Sequence, residues 1–344
     1  MDDRRAGIAT GRSPQEPIGI GSGIVSGQRI LVLGSEGYVG SRLVRRLAAL
    51  DDVSAVGSGR SAGGGGPGYD YVRCDAARLQ AVEPLWREAD AVVSCVRGSN
   101  GPNGSIVRNA RVLAHCLGQW PKPLVYLSSM AAYGDVEGEI DETSPLKGDL
   151  GGYSRAKARA DRLLEAEGAT VLRPGIIYGS DGWEWSGRFA RLLVSHRLGD
   201  LGAAGDGFCN LIHVDDVVSA VVKLLLEAGH HAGAYNLASS GRMTWNEYFV
   251  AFAIALGAVP VRRFGSRRLA LEFFAAYPLK VADALAGCFG VDKERRLNRL
   301  SPNLIRLFGQ RLLLVSNRAD GLGVAWTDVG DGLAASAAAL QPGR

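Results

Sequence analysis

The sequence predicts an α/β protein: a doubly wound parallel sheet with a smaller, mainly helical C-terminal lobe. Three observations predict it. From residue 29 to about residue 180, short continuous apolar runs alternate with amphipathic stretches of helical period. That is the pattern of strands buried on both faces and of the helices that cover them. The first run breaks into three evenly spaced glycines before helical periodicity resumes. From Gly241 onward the chain reads as helices with short breaks. Right-handed crossovers then wind the sheet in both directions from its first strand.

The elements follow in order. "RILVLG" from Arg29 is a strand, "YVGSRLVRRLAAL" from Tyr38 a helix, and "VSAVG" from Val53 a second strand. The Gly-rich loop "SGRSAGGGGPG" leads to a short strand, "YDYVRCD", and to the helix "LQAVEPLWREA". Next come the strand "DAVVSCV", a helix from about Ile106 to Leu117, and the strand "PLVYLSS". "GGYSRAKARADRLLEAEG" is a helix and "ATVLRPGIIYG" the strand after it. "WEWSGRFARLLVSHRLGDLGAAGDG" is an excursion, and "CNLIHVDDVVSAVVKLLLEA" returns to the strand–helix style. This divides the chain into a leader (1–27), a nucleotide-binding domain (28–180, with 208–238 returning to it) and a second lobe (181–207 and 239–344). The stretch around Phe273, Phe274 and Tyr277 is expected to form a packed amphipathic helix pair.

Composition excludes several classes. The 344 residues are 47% hydrophobic and 22% charged, with a net charge of +4 and dispersed basic residues. Nothing resembles a nucleic-acid or membrane-surface stripe, and no run reaches the roughly 18 apolar residues of a spanning helix. The first 27 residues lack the apolar core of a secretory signal and are expected to be a disordered leader. Cys74, Cys95, Cys116, Cys209 and Cys288 show no metal-ligand spacing, so free thiols in a reducing cytoplasm are expected and no metal site. His230 and His231 read as a solvated turn.

The glycines sit at Gly34, Gly37 and Gly40, between a strand and a helix. The first makes a tight turn, the second removes a side chain where a pyrophosphate must approach, and the third lets helix pack on strand. The spacing GxxGxxG differs by one residue from the commoner GxGxxG. Glu36, Tyr38 and Val39 fall between these glycines and belong to the same expected dinucleotide site. At the end of the second strand an acid would bind the ribose hydroxyl of NAD, and an arginine the 2′-phosphate of NADP. Here Ser58 stands at that point and Arg60 and Ser61 follow, which favours NADP.

Tyr153 and Lys157 are four apart, so on a helix they share one face. A phenol of pKa near 10 is a poor base at neutral pH; a neighbouring ammonium and an oxidised nicotinamide favour the phenolate. Tyr153 then exchanges a proton with a substrate hydroxyl or carbonyl while hydride moves.

"YLSSMAAYG" (126–134), "YSRAK" (153–157), "LRPGIIYG" (172–179) and "LIHVDDVV" (211–218), together with the glycine loop, resemble the extended short-chain dehydrogenase/reductase family, also called the NAD-dependent epimerase/dehydratase family. The resemblance covers about residues 29 to 335 and implies a Rossmann domain, an NAD(P)-dependent enzyme and a homodimer. It implies that Lys157 also holds the nicotinamide ribose and that Ser129, rather than the adjacent Ser128, hydrogen-bonds the substrate oxygen. It places Asp75, with Ala76, at the adenine and the backbone around Ile176 at the carboxamide. Asn109, Arg173, Asp215 and Asp216 it makes chiefly architectural.

The departures narrow the chemistry. Met130 and Ala131 follow Ser129 where dehydratases of the family carry an Asp-Glu pair, so dehydration is not expected. Cys209 stands where nucleotide-sugar enzymes usually carry an arginine, although Arg188, Arg191 and Arg197 lie upstream. Arg97 replaces the family's small residues after the strand at 90–96. The resulting expectation is an NADP-dependent ketone reductase or alcohol dehydrogenase acting on a small, natural-product-like or sugar-like substrate. The alternatives are an NAD-dependent nucleotide-sugar epimerase and a non-catalytic NADP-sensing protein. Trp183 and Trp185 are expected to pack in the core rather than to stack on substrate.

Overall fold

The computed structural model describes residues 27–97, 104–226, 231–265 and 302–340. Expectations for the leader as far as residue 26, for His230 and Cys288, and for the helix pair around Phe273, Phe274 and Tyr277 lie outside the described residues.

The apolar runs become strands β1 (Gln28–Leu33), β2 (Val53–Gly59), β3 (Asp70–Arg73), β4 (Ala91–Ser94), β5 (Leu124–Leu127), β7 (Thr170–Pro174) and β10 (Gly233–Leu237). They form one seven-stranded sheet in the order β10-β7-β5-β4-β1-β2-β3, every pairing parallel. Helices α1 (Tyr38–Ala48) and α6 (Val214–Leu226) cover one face. Helices α2 (Leu79–Glu88), α3 (Gly104–Gln119) and α4 (Gly152–Ala166) cover the other. The apolar period makes this so: Val39, Leu43, Val44 and Leu47 bury one stripe of α1, while Arg45 and Arg46 close its last turn, where positive charge suits the dipole. The order of strands reverses at β1, and Leu33 lies level with Ser58 of β2 and Ser94 of β4. A crevice therefore opens beyond β1, at Gly34.

Two segments fold otherwise than the sequence reading has them. "ATVLRPGIIYG" is not one strand. It breaks at Gly175 into β7 and β8 (Ile176–Tyr178), because Pro174 offers no amide and the chain changes partners: Gly175 N bonds Leu237 O, whereas Ile176 N bonds Asn210 O. β9 (Leu211–His213) pairs with β8 and not with the main sheet. A Cβ at Gly175 would lie 2.0 Å from Asn210 O, so only glycine permits that crossing. The second difference is a short parallel pair, β6 (Gly138–Ile140) with β11 (Leu312–Leu314), which ties the late chain to the loop after β5.

A separate apolar cluster belongs to the second lobe. It gathers α5 (Arg188–Val194), α7 (Trp245–Ala255), α8 (Pro302–Phe308) and α10 (Val329–Leu340), with α9 (Asn317–Asp320) preceding the last of these. Phe189, Trp245, Tyr248, Phe249 and Phe308 form its ring-packed centre. Thr244 caps α7 through a reciprocal bond with Glu247, which satisfies two orphan amides. Among the described residues no helix is long and apolar enough to cross a membrane.

Candidate active site

The glycine loop is a cradle that side chains would fill. Gly34 has φ +82°, and a Cβ there would lie 3.2 Å from the Cys95 carbonyl carbon. A Cβ on Gly40 would lie 2.2 Å from Gly34 O and one on Gly37 3.3 Å from it. The turn is held by Gly34 N and Ser35 N, both donating to Ser58 O at 2.9 Å. Gly37 caps α1 with no side-chain acceptor, and no acid lies in the first turn. The amides and positive dipole end of α1 are thus left for an anion, which fits the pyrophosphate of a dinucleotide. Val39 and Gly40 are buried against the sheet. The Tyr38 hydroxyl is buried without a hydrogen-bond partner beside Gly179 and Gly182, and burial pushes its pKa up.

At the end of β2 the structure corrects the sequence reading. Ser58 is 1% exposed and its hydroxyl turns back to Val32 O at 3.5 Å, so it faces the sheet rather than a ribose. The premise that no carboxylate stands there also fails, because one arrives from the glycine loop. Glu36 accepts hydrogen bonds from Arg60 N (3.0 Å), Ser61 N (3.5 Å) and Tyr71 Oη (3.0 Å). Arg60 is exposed, and its carbonyl accepts from Arg73 Nε at 3.0 Å. Asp75 accepts from Ala77 N and so closes the turn into α2.

Ser129 and Tyr153 come together. Ser129 stands two residues after β5 and caps the 3₁₀ turn Met130–Tyr133, accepting Ala131 N at 3.2 Å, and its hydroxyl acts on the Tyr153 phenol. Burial pushes the phenol up; the Arg97 guanidinium and the Ser129 hydroxyl act to pull it back down. Ser128 is turned the other way, donating to Asp161. Lys157 is 1% exposed and donates to Leu127 O at 2.8 Å, with Tyr126 Oη at 3.3 Å. Burial lowers its pKa to about 8, against which the Asp161 carboxylate holds it up. Arg97 is a positive charge that favours the Tyr153 phenolate and that helical spacing alone does not reveal.

Two residues near the site carry more weight than the sequence assigns them. Asp161 stands four residues beyond Lys157 on the same face of α4, fully buried, bonded by Ser128 and by Arg173 Nε at 3.0 Å. The four-residue spacing was its only signal. Arg97 pairs with Glu184 at 2.5 Å, joining the loop after β4 to the π-helical turn Trp183–Gly187.

The remaining candidates make contacts within the fold. Asn109 is buried and bonds Ser94 Oγ and Ala76 O, tying α3 to two strand ends. Arg173 is 1% exposed and holds Asp161, Glu165, Tyr133 and Glu142 O. Asp216 takes Thr327 N and Oγ1, and Asp215 pairs with Arg42. Cys209 is buried, with its thiol on Met243 O, and burial pushes it up to about 12. Ile176 is buried and its amide is engaged by Asn210 O. Trp185 packs on Phe189 and Trp245, whereas Trp183 is more exposed, with Arg191 over its ring at 5.4 Å. Among the described residues no group of three or more His, Cys, Asp or Glu could hold a metal.

A family model described as "NAD dependent epimerase/dehydratase family" matches residues 30–238. Protein YeeZ of Escherichia coli strain K12 is 27% identical over 196 residues, a match covering 54% of this chain and 65% of that protein. Among solved structures, dTDP-glucose 4,6-dehydratase from Bacillus anthracis in complex with NAD has TM-score 0.65 at 19% identity, covering 90% of this chain and 96% of that one. UDP-glucose 4-epimerase from Thermotoga maritima, with UDP-glucose, has TM-score 0.67 at 16% identity, covering 90% and 98%. A human epimerase family protein with NADPH has TM-score 0.63 at 21% identity, covering 90% and 99%. These likenesses are of fold.

Proposed function

The chain belongs to the NAD dependent epimerase/dehydratase family, and we propose that it works there as an NAD(P)-dependent oxidoreductase on a carbonyl or hydroxyl of a small substrate. What supports this reading is the placing of Ser129, just after β5, and of Tyr153, whose phenol Ser129 helps to hold down in pKa, with Lys157 one turn further along α4. A bound nicotinamide would give or take the hydride. Ser129 orients the substrate oxygen, and Tyr153 gives or takes its proton. Lys157 is the residue that would hold the nicotinamide ribose, and the α1 amides the pyrophosphate. Met130 is buried and Ala131 has no ionisable group, which speaks against elimination of water by acid and base at those positions.

A net ketone reductase drawing on NADP was the expectation from Ser58 and Arg60. Glu36 favours a second reading, transient oxidation and return of the same hydride, as in epimerisation, because a carboxylate at the ribose suits a retained NAD. Replacing Tyr153 by Phe separates both from a sensor of the cofactor. With NADPH or NADH and a panel of ketones, aldehydes and sugar nucleotides, an enzyme should lose about 10²-fold or more of turnover while keeping its cofactor affinity. Retained turnover in Tyr153→Phe would contradict the proposal.

A further inference from the structure

Glu36 sits in the glycine loop, yet its carboxylate lies on the end of a different strand. One oxygen accepts Arg60 N and Ser61 N, and the other accepts Tyr71 Oη. The carboxylate reaches this spot because β2 ends in Gly59: a Cβ there would lie 2.1 Å from Glu36 Oε2. Partial desolvation works against the charge of this exposed carboxylate, but the bonds from Ser61, Tyr71 and Arg60 prevail and hold its pKa below the ordinary value. An ionised carboxylate thus occupies the two turn amides just beyond the β2 terminus. In a doubly wound sheet this is the place of the adenosine ribose.

We propose that Glu36 selects NAD over NADP, supplying from the glycine loop the acceptor that other dinucleotide sites draw from the end of the second strand. The inference rests on the nicotinamide-cofactor reading above. Ribose hydroxyls are donors, and a carboxylate accepts from them. A 2′-phosphate at the same place brings charge of the same sign and needs the very amides that Glu36 holds. Arg60 and Arg73 lie nearby as cations, but a phosphate reaches a nest of amides and guanidinium only after Glu36 has left three hydrogen bonds. The turn is therefore set for a neutral ribose.

The test is fluorescence titration of NADH and NADPH against the full chain, its Glu36→Gln and Glu36→Ala variants, and Arg60→Ala. Glu36 is exposed, so these substitutions leave the fold in place, which circular dichroism verifies. The wild type should bind NADH at least tenfold more tightly than NADPH. Glu36→Gln, which removes charge but little shape, should cut that ratio to near one, and Glu36→Ala should do the same. Tighter NADPH binding by the wild type, or a ratio unmoved by both Glu36 variants, overturns the inference and leaves the cofactor reading standing. Binding of neither nucleotide by the folded wild type overturns both.

Discussion

The Tyr153 phenol is shaped by neighbours that oppose one another. Burial and the Glu184 and Asp161 carboxylates raise its pKa, while the Arg97 guanidinium and the Ser129 hydroxyl lower it. Removing Arg97 takes away the first positive charge that favours the phenolate, so the phenol must titrate at higher pH. For alcohol oxidation, in which the proposal makes Tyr153 the base, the acidic limb of the pH–rate profile should move upward in Arg97→Ala and return most of the way in Arg97→Lys. An unmoved limb would show that Arg97 serves only its ion pair with Glu184. That pair sits at a largely exposed guanidinium, and a surface pair of this kind adds only about 0–1 kcal/mol to stability. Its electrostatic effect on the phenol matters more than its strength.

At the scale of the element, α4 is the part that organises the site. Tyr153, Lys157, Asp161 and Glu165 follow one another at four-residue intervals, so one face carries the phenol, the ammonium and the acids that meet Arg173. Lys157, with its pKa near 8, is charged below that pH and loses its proton above it. Asp161 raises that pKa, so Asp161→Asn must lower it, and NADH affinity should fall off at lower pH than in the wild type, with Asp161→Glu restoring the profile. A profile that does not move would show that Lys157 does not hold the cofactor through its charge. Much of this was legible in the sequence: α1, α4 and the main strands follow from period alone, and the Tyr153–Lys157 spacing is local. The break at Gly175 was not, because it depends on Asn210 and Leu237, which only the fold brings near. Glu36 was placed in the right loop, but its reach to Arg60 and Ser61 depends on the register of β1 against β2. The four-residue spacing puts Lys157 on the same helix face as Tyr153, yet spacing does not say that its ammonium turns to Leu127 O.

The whole molecule is a sheet whose first strand opens a crevice and a second lobe fastened beside it. Besides the apolar cluster that joins the lobe to Ile176, Tyr178 and Leu211, polar bonds fasten it: Asp216 holds Thr327, Asn236 holds Val315 O and Ile140 O, and Asn210 holds both Leu312 and Leu314. The side chains of Asp216, Asn236 and Asn210 are buried, so leaving one of them without its partner would cost about 1–3 kcal/mol, which helps to fix the lobe against β8 and β9. The central claim is that a nicotinamide dinucleotide lies across this crevice from the turn at Arg60 to Tyr153. Amide hydrogen exchange of the full chain, with and without saturating NADH, tests it most directly. The account predicts slowed exchange at residues 34–40, 59–61, 127–131 and 153–157 together. Unchanged exchange at the glycine loop, or protection confined to the second lobe, would contradict it.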